Sequence, residues 1–230
     1  MITNEDNMEL MARYPDGYFD LAIVDPPYRD ENQPTKDMRE NGSMKSLEGR
    51  PAKEYWDELF RVSKEQIIWG ANNFQLPQFK GFLVWDKGIP FDFTMSMAEI
   101  ASFSEGLSTI SKIYKLRIAG AESRIHPTQK PVKLYEWLLM NYATCKTCKN
   151  QGGYYEDVAG DGGSQMWQVC DDCDTHERPV RILDTHLGSG SIAIACHNLG
   201  FELTACELDT DYYNAAMKRI NKHKSQTRLF

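Results

Sequence analysis

No stretch of this chain approaches the length of apolar run needed to span a membrane. Its first residues, Met-Ile-Thr-Asn-Glu-Asp, lack the charged-then-apolar order of a secretion signal. These absences lead to the expectation of a cytoplasmic protein that does not use a membrane. Basic charge is also short: 26 Lys and Arg face 33 Asp and Glu, for a formal net charge of −7 and a pI near 5.3. A nucleic-acid binder ordinarily carries a basic face, so such a role requires cations that are locally concentrated. Cysteine is sparse and unevenly placed, with 6 in the chain: two Cys-x-x-Cys pairs and two single residues. In a cytosolic chain that pattern reads as metal ligation before disulfide. What is present is 230 residues with 41% hydrophobic and 11% aromatic content. That is enough for one α/β domain with a sizeable core and a small insert.

The tetrapeptide Asp25-Pro26-Pro27-Tyr28 organises the reading. It follows Phe19–Val24, which is apolar and β-branched enough for a buried parallel strand. Two prolines then stop the strand at its C-terminal end, the edge where open α/β sheets bind ligands. The turn offers a carboxylate, a Pro26 carbonyl kept out of a local ladder by Pro27, and an aromatic face. Those groups suit a planar nucleobase with an exocyclic amine. The last segment reads as β-α-β-α: a strand at Val180–Leu183, a helix at Ser191–Leu199 stopped by Gly200, a strand at Phe201–Cys206, and a helix over 211–222. Gly188-Ser189-Gly190 lets the backbone approach a ligand closely, and Glu207 at the strand's end can accept hydrogen bonds from both ribose hydroxyls. Alone, this pattern does not separate a nicotinamide cofactor from S-adenosylmethionine. Asp184 before the glycines and the Asp25–Tyr28 turn favour the second.

Between these ends, residues 29–50 form a long polar stretch without period, read as a lid over the site. A helix is expected at 52–63, with strands at 66–70, 82–85, 97–103 and 109–116. Asn72 and Asn73 are either pocket wall or plain turn residues. Lys112, Lys115, Arg117 and Arg124 belong to the one dense cationic stretch, 111–133, and are candidate phosphate contacts. Thr128 or Gln129 is placed to cap a helix over 132–141, with Pro131 at its first position. That helix start, with Lys130, suits a carboxylate. Cys145, Cys148, Cys170 and Cys173 form two knuckles on a glycine-rich linker with the composition of a β-hairpin, which makes a tetrahedral thiolate zinc site the expectation. Acidic residues outnumber basic ones there, so the insert is expected to serve structure or a partner, not phosphates. Cys196 and Cys206 read as buried small hydrophobes.

Asp25–Tyr28 resembles the catalytic motif of amino-methyltransferases acting on adenine N6. Ile182–Ser191 resembles the S-adenosylmethionine motif of the same enzymes, and His126–Pro131 is similar to the segment before it in their circularly permuted beta class. Catalytic motif first and cofactor motif last is that class's order. The resemblance covers nearly the whole chain outside roughly residues 145–178. It implies a permuted Rossmann-like fold with a mostly parallel seven-stranded sheet and helices on both faces. The methyltransferase domain would comprise 1–144 and 174–230, with a zinc-ribbon-like insert at 145–173. The implied activity is transfer of a methyl group from S-adenosylmethionine to adenine N6 in double-stranded DNA after base flipping, in a prokaryotic or phage-encoded protein.

By the same resemblance, Asp25, Pro26, Pro27 and Tyr28 are catalytic. Asp6 or Asn7 meets the cofactor's adenine, although Asp6 also reads as a plain helix cap. Thr128, Gln129 and Lys130 hold its methionine end, and Asp184, Gly188, Gly190, Ser191 and Glu207 complete its site. His186 stands where the family often has Phe and carries no assigned catalytic role. Cytosine N4 in DNA and adenine in RNA are the nearest rival targets, although enzymes acting on cytosine more often carry Ser at the place of Asp25. A non-catalytic nucleic-acid-binding module built on the zinc ribbon and a nicotinamide-dependent oxidoreductase are rivals from other classes. The oligomeric state, a homodimer among the options, is not legible in the residues.

Overall fold

Alternation along Phe19–Val24 sets the architecture. From Leu21 onward, Leu21 and Ile23 point into one apolar cluster and Ala22 and Val24 into another, so this strand is buried on both faces. The computed structural model describes residues 1–28, 31–32, 47–92, 96–117, 124–126, 128–145, 147–148, 153–157, 165–171 and 178–226. In chain order its strands are β1 (Ile2–Asn4), β2 (Phe19–Val24), β3 (Glu31–Asn32), β4 (Leu47–Glu48), β5 (Ser63–Trp69), β6 (Gly81–Asp86), β7 (Ala98–Phe103), β8 (Lys112–Lys115), β9 (Gly153–Asp157), β10 (Gln165–Val169), β11 (Arg181–Asp184) and β12 (Glu202–Glu207). The helices are α1 (Asn7–Met11), α2 (Lys53–Val62), α3 (Val132–Tyr142), α4 (Ser191–Leu199) and α5 (Thr210–Lys224).

The main sheet has 8 strands in the order β1-β12-β11-β2-β5-β7-β6-β8. Only β7 runs against the rest, pairing antiparallel with β5 and β6. The expected mostly parallel α/β sheet is therefore present, with eight strands where seven were expected. β1 forms one edge, where Ile2, Thr3 and Asn4 extend the sheet beyond β12 in parallel register. One face is covered by α3, α4 and α5. The other is covered by α1 and α2, the latter burying Tyr55, Trp56, Leu59 and Val62. Among the described residues, no helix is long and apolar enough to cross a membrane.

The topology fixes where a ligand can enter. After β11 the chain crosses through α4 to β12 on one side, and after β2 it crosses through α2 to β5 on the other. The order therefore reverses between β2 and β11, and a crevice opens at their C-terminal ends, beside Asp25 and Asp184. A separate antiparallel pair, β9 and β10, forms the hairpin expected between the cysteine knuckles. Most of the expected lid lies outside the described residues. Its two ends pair as β3 and β4, and the Arg50 guanidinium hydrogen-bonds the Asn73 carbonyl and lies over Phe74.

Candidate active site

A cavity of about 730 Å³ opens at this crevice. Its floor is the Asp25-Pro26-Pro27-Tyr28 turn, and its walls come from the β11, β12 and β1 ends of the sheet. Among the described residues the Pro26 carbonyl accepts no hydrogen bond, and both Pro26 and Asp25 line the cavity. Tyr28 is backed by Gly70, which sits at φ +62; a Cβ there would lie 2.3 Å from Tyr28 Cε1. Only glycine after β5 lets the tyrosine ring sit this close. The Tyr28 hydroxyl donates to Asp25 Oδ1 at 2.8 Å.

Asp25 is deeply enclosed. Burial pushes its carboxyl above the ordinary range, and the neighbouring Lys130 and Tyr28 oppose that rise. The Lys130 ammonium touches the other Asp25 oxygen and lies 3.0 Å from Glu99 and 4.8 Å from the Trp69 ring. Lys130 is thus turned inward and does not line the cavity, which differs from the expectation that it helps hold a ligand carboxylate at the helix start. The Asp25 and Glu99 carboxylates draw it there. Gln129 also faces away, accepting the Ile125 N–H at 3.1 Å. Thr128 does line the cavity, but it pairs with His126 and caps nothing. Pro131 is itself the N-cap of α3, one position earlier than expected, without side-chain capping.

The glycine turn after β11 is held from the far side. Glu207 accepts the N–H of Gly188 at 2.8 Å and of Asp209 at 3.1 Å while lining the cavity; burial raises its carboxyl above the ordinary range. Gly190, at φ +72, is the N-cap of α4, and a Cβ there would meet Ile220 Cδ1 at 2.8 Å. Asp184 lies behind this turn, accepts the His186 N–H at 3.0 Å, and is pushed by burial up to about 8. Ser191 is likewise beneath the surface, bonded by Arg219 at 2.9 Å. Asp6 caps α1, accepting the Met8 N–H at 2.8 Å, and also lines the cavity. Asn7 lines it too. Asn72 and Asn73 stay out of the lining, and the Asn73 amide closes the turn on the Gly70 carbonyl at 2.9 Å.

Several site residues went unassigned in the sequence. His186 sits between Asn7 (3.3 Å) and Thr185 (2.9 Å), and Tyr55 bonds Thr185 at 2.7 Å. Burial takes His186 down to about 4, and burial with the Lys130 charge takes His126 down to about 3. Both rings are therefore neutral near pH 7, and both line the cavity. The His-Pro-Thr-Gln-Lys-Pro motif marked the place of His126. Tyr55 looked like one more apolar position on α2, and nothing marked Glu99 on its strand.

Two further groups lie apart from the cavity. The Cys145, Cys148 and Cys170 sulfurs all lie within 4.8 Å of one another, with Cys145 and Cys170 at 3.7 Å. Four thiolates at about 2.3 Å around zinc stand about 3.8 Å apart, so these fit a zinc tetrahedron. They are too far apart for a disulfide. Cys173 lies outside the described residues. Cys196 and Cys206 are buried, as expected, and burial pushes both thiols up. The cationic stretch does not form one face. Lys112 begins β8 and lies over Trp137 and Tyr142 of α3, whereas Lys115 ends β8 on the opposite face, 3.9 Å from Asp86. Alternation along a strand separates any two positions three apart. Arg117 packs against Gly88, and Arg124 lies two positions before His126.

No protein-family model and no curated relative matches the sequence. Solved structures share its fold. A complex of M1.HpyAVI with SAM aligns at TM-score 0.55 and 17% identity, over 96% of this chain and 98% of that one. TTHA0409 of Thermus thermophilus, described as a candidate DNA modification methylase and complexed with S-adenosyl-L-methionine, aligns at 0.51 and 14%, over 98% and 95%. The PvuII DNA methyltransferase, cytosine-N4-specific, aligns at 0.55 and 10%, over 100% and 87%. The chain therefore has the Rossmann-like fold of S-adenosylmethionine-dependent methyltransferases, with the Asp25 turn and the Gly188 turn on either side of its topological switch.

Proposed function

We propose that this protein is an S-adenosylmethionine-dependent DNA methyltransferase acting on the N6 amine of adenine. The observation that carries the reading is the cavity between β2 and β11, which joins Asp25 and the open Pro26 carbonyl to the Gly188 turn and Glu207. The fold neighbours, two of them solved with the cofactor, support the same class. The Glu207 end of the cavity suits a ribose, and Asp6 and Asn7 suit an adenine ring. Bound there, S-adenosylmethionine supplies an electrophilic methyl group. Asp25 and the Pro26 carbonyl accept the two hydrogens of a flipped amine, which turns its lone pair toward that methyl. The amine nitrogen would bond the methyl carbon as the sulfonium S–CH3 bond breaks and its electron pair stays on sulfur, leaving a neutral thioether, and one amine proton would then leave to water. Positive charge grows on nitrogen during transfer, and the Asp25 carboxylate offsets it. Tyr28 supplies an aromatic face for the base.

Cytosine N4 is the second reading, because one fold neighbour is described as specific for it. Zinc in the cysteine cluster would hold the β9–β10 hairpin as a structural insert. Tritiated methyl transfer to unmethylated genomic DNA, followed by nucleoside analysis, tests both readings: label in N6-methyladenine supports the first, and label in N4-methylcytosine replaces it with the second. Asp25→Ala should abolish transfer and leave cofactor binding within about threefold, because orientation of the amine resides in the turn while cofactor binding resides elsewhere. Full activity of Asp25→Ala would remove the Asp25 turn from the chemistry.

A further inference from the structure

Asp25 is the end of a chain of charges. Lys130, with 2% of its side chain exposed, touches Asp25 and stands 3.0 Å from Glu99 of β7. Glu99 stands 2.5 Å from Lys87, which follows β6 and is itself buried. Positive, negative, positive and negative charges therefore run from the end of β6 to the catalytic turn, and they sum to zero. A chain of this kind is costly to assemble away from water, and removing one member leaves an uncompensated buried charge.

The amine chemistry proposed above, on which this inference rests, needs negative potential at Asp25 while charge grows on nitrogen. An ammonium held by Asp25 alone would cancel much of that potential. We propose that Glu99 is a positioning residue for this site: by sharing the Lys130 ammonium it fixes the Asp25 carboxylate and leaves it negative toward the cavity, with Lys87 anchoring Glu99 from the other side. The charge balance agrees. Burial would raise the Glu99 carboxyl, but Lys130 and Lys87 outweigh it and hold it at about 2. Burial raises Asp25, Lys130 lowers it, and Glu99 raises it further. Asp25 is faced as well by the Tyr28 hydroxyl, by Tyr135 of α3 and by the Asp184 carboxyl of β11.

Glu99→Gln keeps the shape and removes the charge. Two measurements read its effect. The first is the titration of the Asp25 carboxyl by carbon NMR, identified by its loss in Asp25→Asn. The second is the pH profile of methyl transfer to DNA. Without the like charge of Glu99, the Asp25 midpoint should fall by about half a pH unit or more. The plateau rate should fall about tenfold, with cofactor affinity within about twofold. A slower enzyme whose acid limb moves to lower pH is not what a loosened fold would give. Should Glu99→Gln fail to fold, Lys87→Met leaves Glu99 to Lys130 alone and should move the Asp25 midpoint upward. An Asp25 midpoint that stays in place in Glu99→Gln, or in Lys87→Met where that variant is the one tested, overturns the inference, whatever the wild-type activity. If wild-type protein transfers no methyl to DNA while the variant still shows the shifted midpoint, the reading of the activity is overturned and the charge chain is supported.

Discussion

The Glu207 carboxylate accepts the Gly188 N–H at 2.8 Å, so the end of β12 and the glycine turn after β11 are held as one piece. Because Glu207 also lines the cavity, its loss should act twice. Glu207→Ala would remove the hydrogen bonds proposed above to a cofactor's ribose and would free the Gly188 turn. Cofactor binding should weaken by roughly 1.5–3 kcal/mol, the range for hydrogen bonds to charged groups. Titration calorimetry with S-adenosylmethionine reads this directly; unchanged affinity would assign the ribose contact to another residue.

Asp184 should impose a pH dependence on stability. Burial raises its carboxyl from 3.8 to about 8. A folded-state value above the unfolded one means that folding favours the protonated form. The stabilisation is complete below about pH 4 and is lost as pH rises through about 8. Melting temperature should therefore decline across that window, and Asp184→Asn, which cannot ionise, should flatten the decline. Scanning calorimetry of both proteins from acid to mildly alkaline pH makes the comparison. Equal slopes would assign the titration elsewhere, with the raised carboxyl of Glu207 as the next candidate.

The framework of the fold was legible because period and punctuation agree. Phe19–Val24 ends in two prolines, Ser191–Leu199 ends in Gly200, and both elements stand where expected. The site was legible only where a motif is contiguous. Asp25–Tyr28 and Gly188–Gly190 fall at the switch between β2 and β11, as their place after strands required. Glu99 and Lys130 meet across a separation no local pattern encodes, because β7 enters the sheet antiparallel beside β5. Lys130 looked like a ligand for an anion when read beside a helix start. It became a partner of Asp25 once the sheet closed, since a buried carboxylate attracts the nearest cation that can reach it.

The cysteine cluster should hold one zinc ion per chain. Cys145 and Cys170 already stand 3.7 Å apart, with Cys148 within 4.8 Å of both, and Cys173 completes the second Cys-x-x-Cys pair. Elemental analysis of protein purified without chelators should find about one zinc per chain. Chelation should unfold the β9–β10 hairpin before the main sheet, because a two-stranded hairpin is marginal alone. Far-ultraviolet dichroism and limited proteolysis after chelation follow that order. Protein that carries no metal, or that loses its sheet and hairpin together, would refute the site or its local role.

Strand alternation divides the cationic stretch, and DNA binding should follow that division. β8 runs parallel to β6, β5 and β2, so its C-terminal residue, Lys115, lies on the sheet edge that carries Asp25. Four strand spacings separate β8 from β2, a span of about 19 Å, within the reach of a duplex centred on the cavity. Lys112 begins the strand at the opposite edge and faces the aromatic rings of α3. Expected phosphate contacts are therefore Lys115, Arg117 and Arg124. Replacing one of these three with Ala should weaken binding about equally for all sequences and lower the salt slope by roughly one unit. Lys112→Ala should change the slope much less, although both residues were equal candidates in the sequence. Fluorescence anisotropy with a short duplex over a series of salt concentrations distinguishes them. If Lys112→Ala matches Lys115→Ala in slope and affinity, the duplex does not lie along the C-terminal edge, and the approach of DNA to Asp25 must be redrawn from the α3 face.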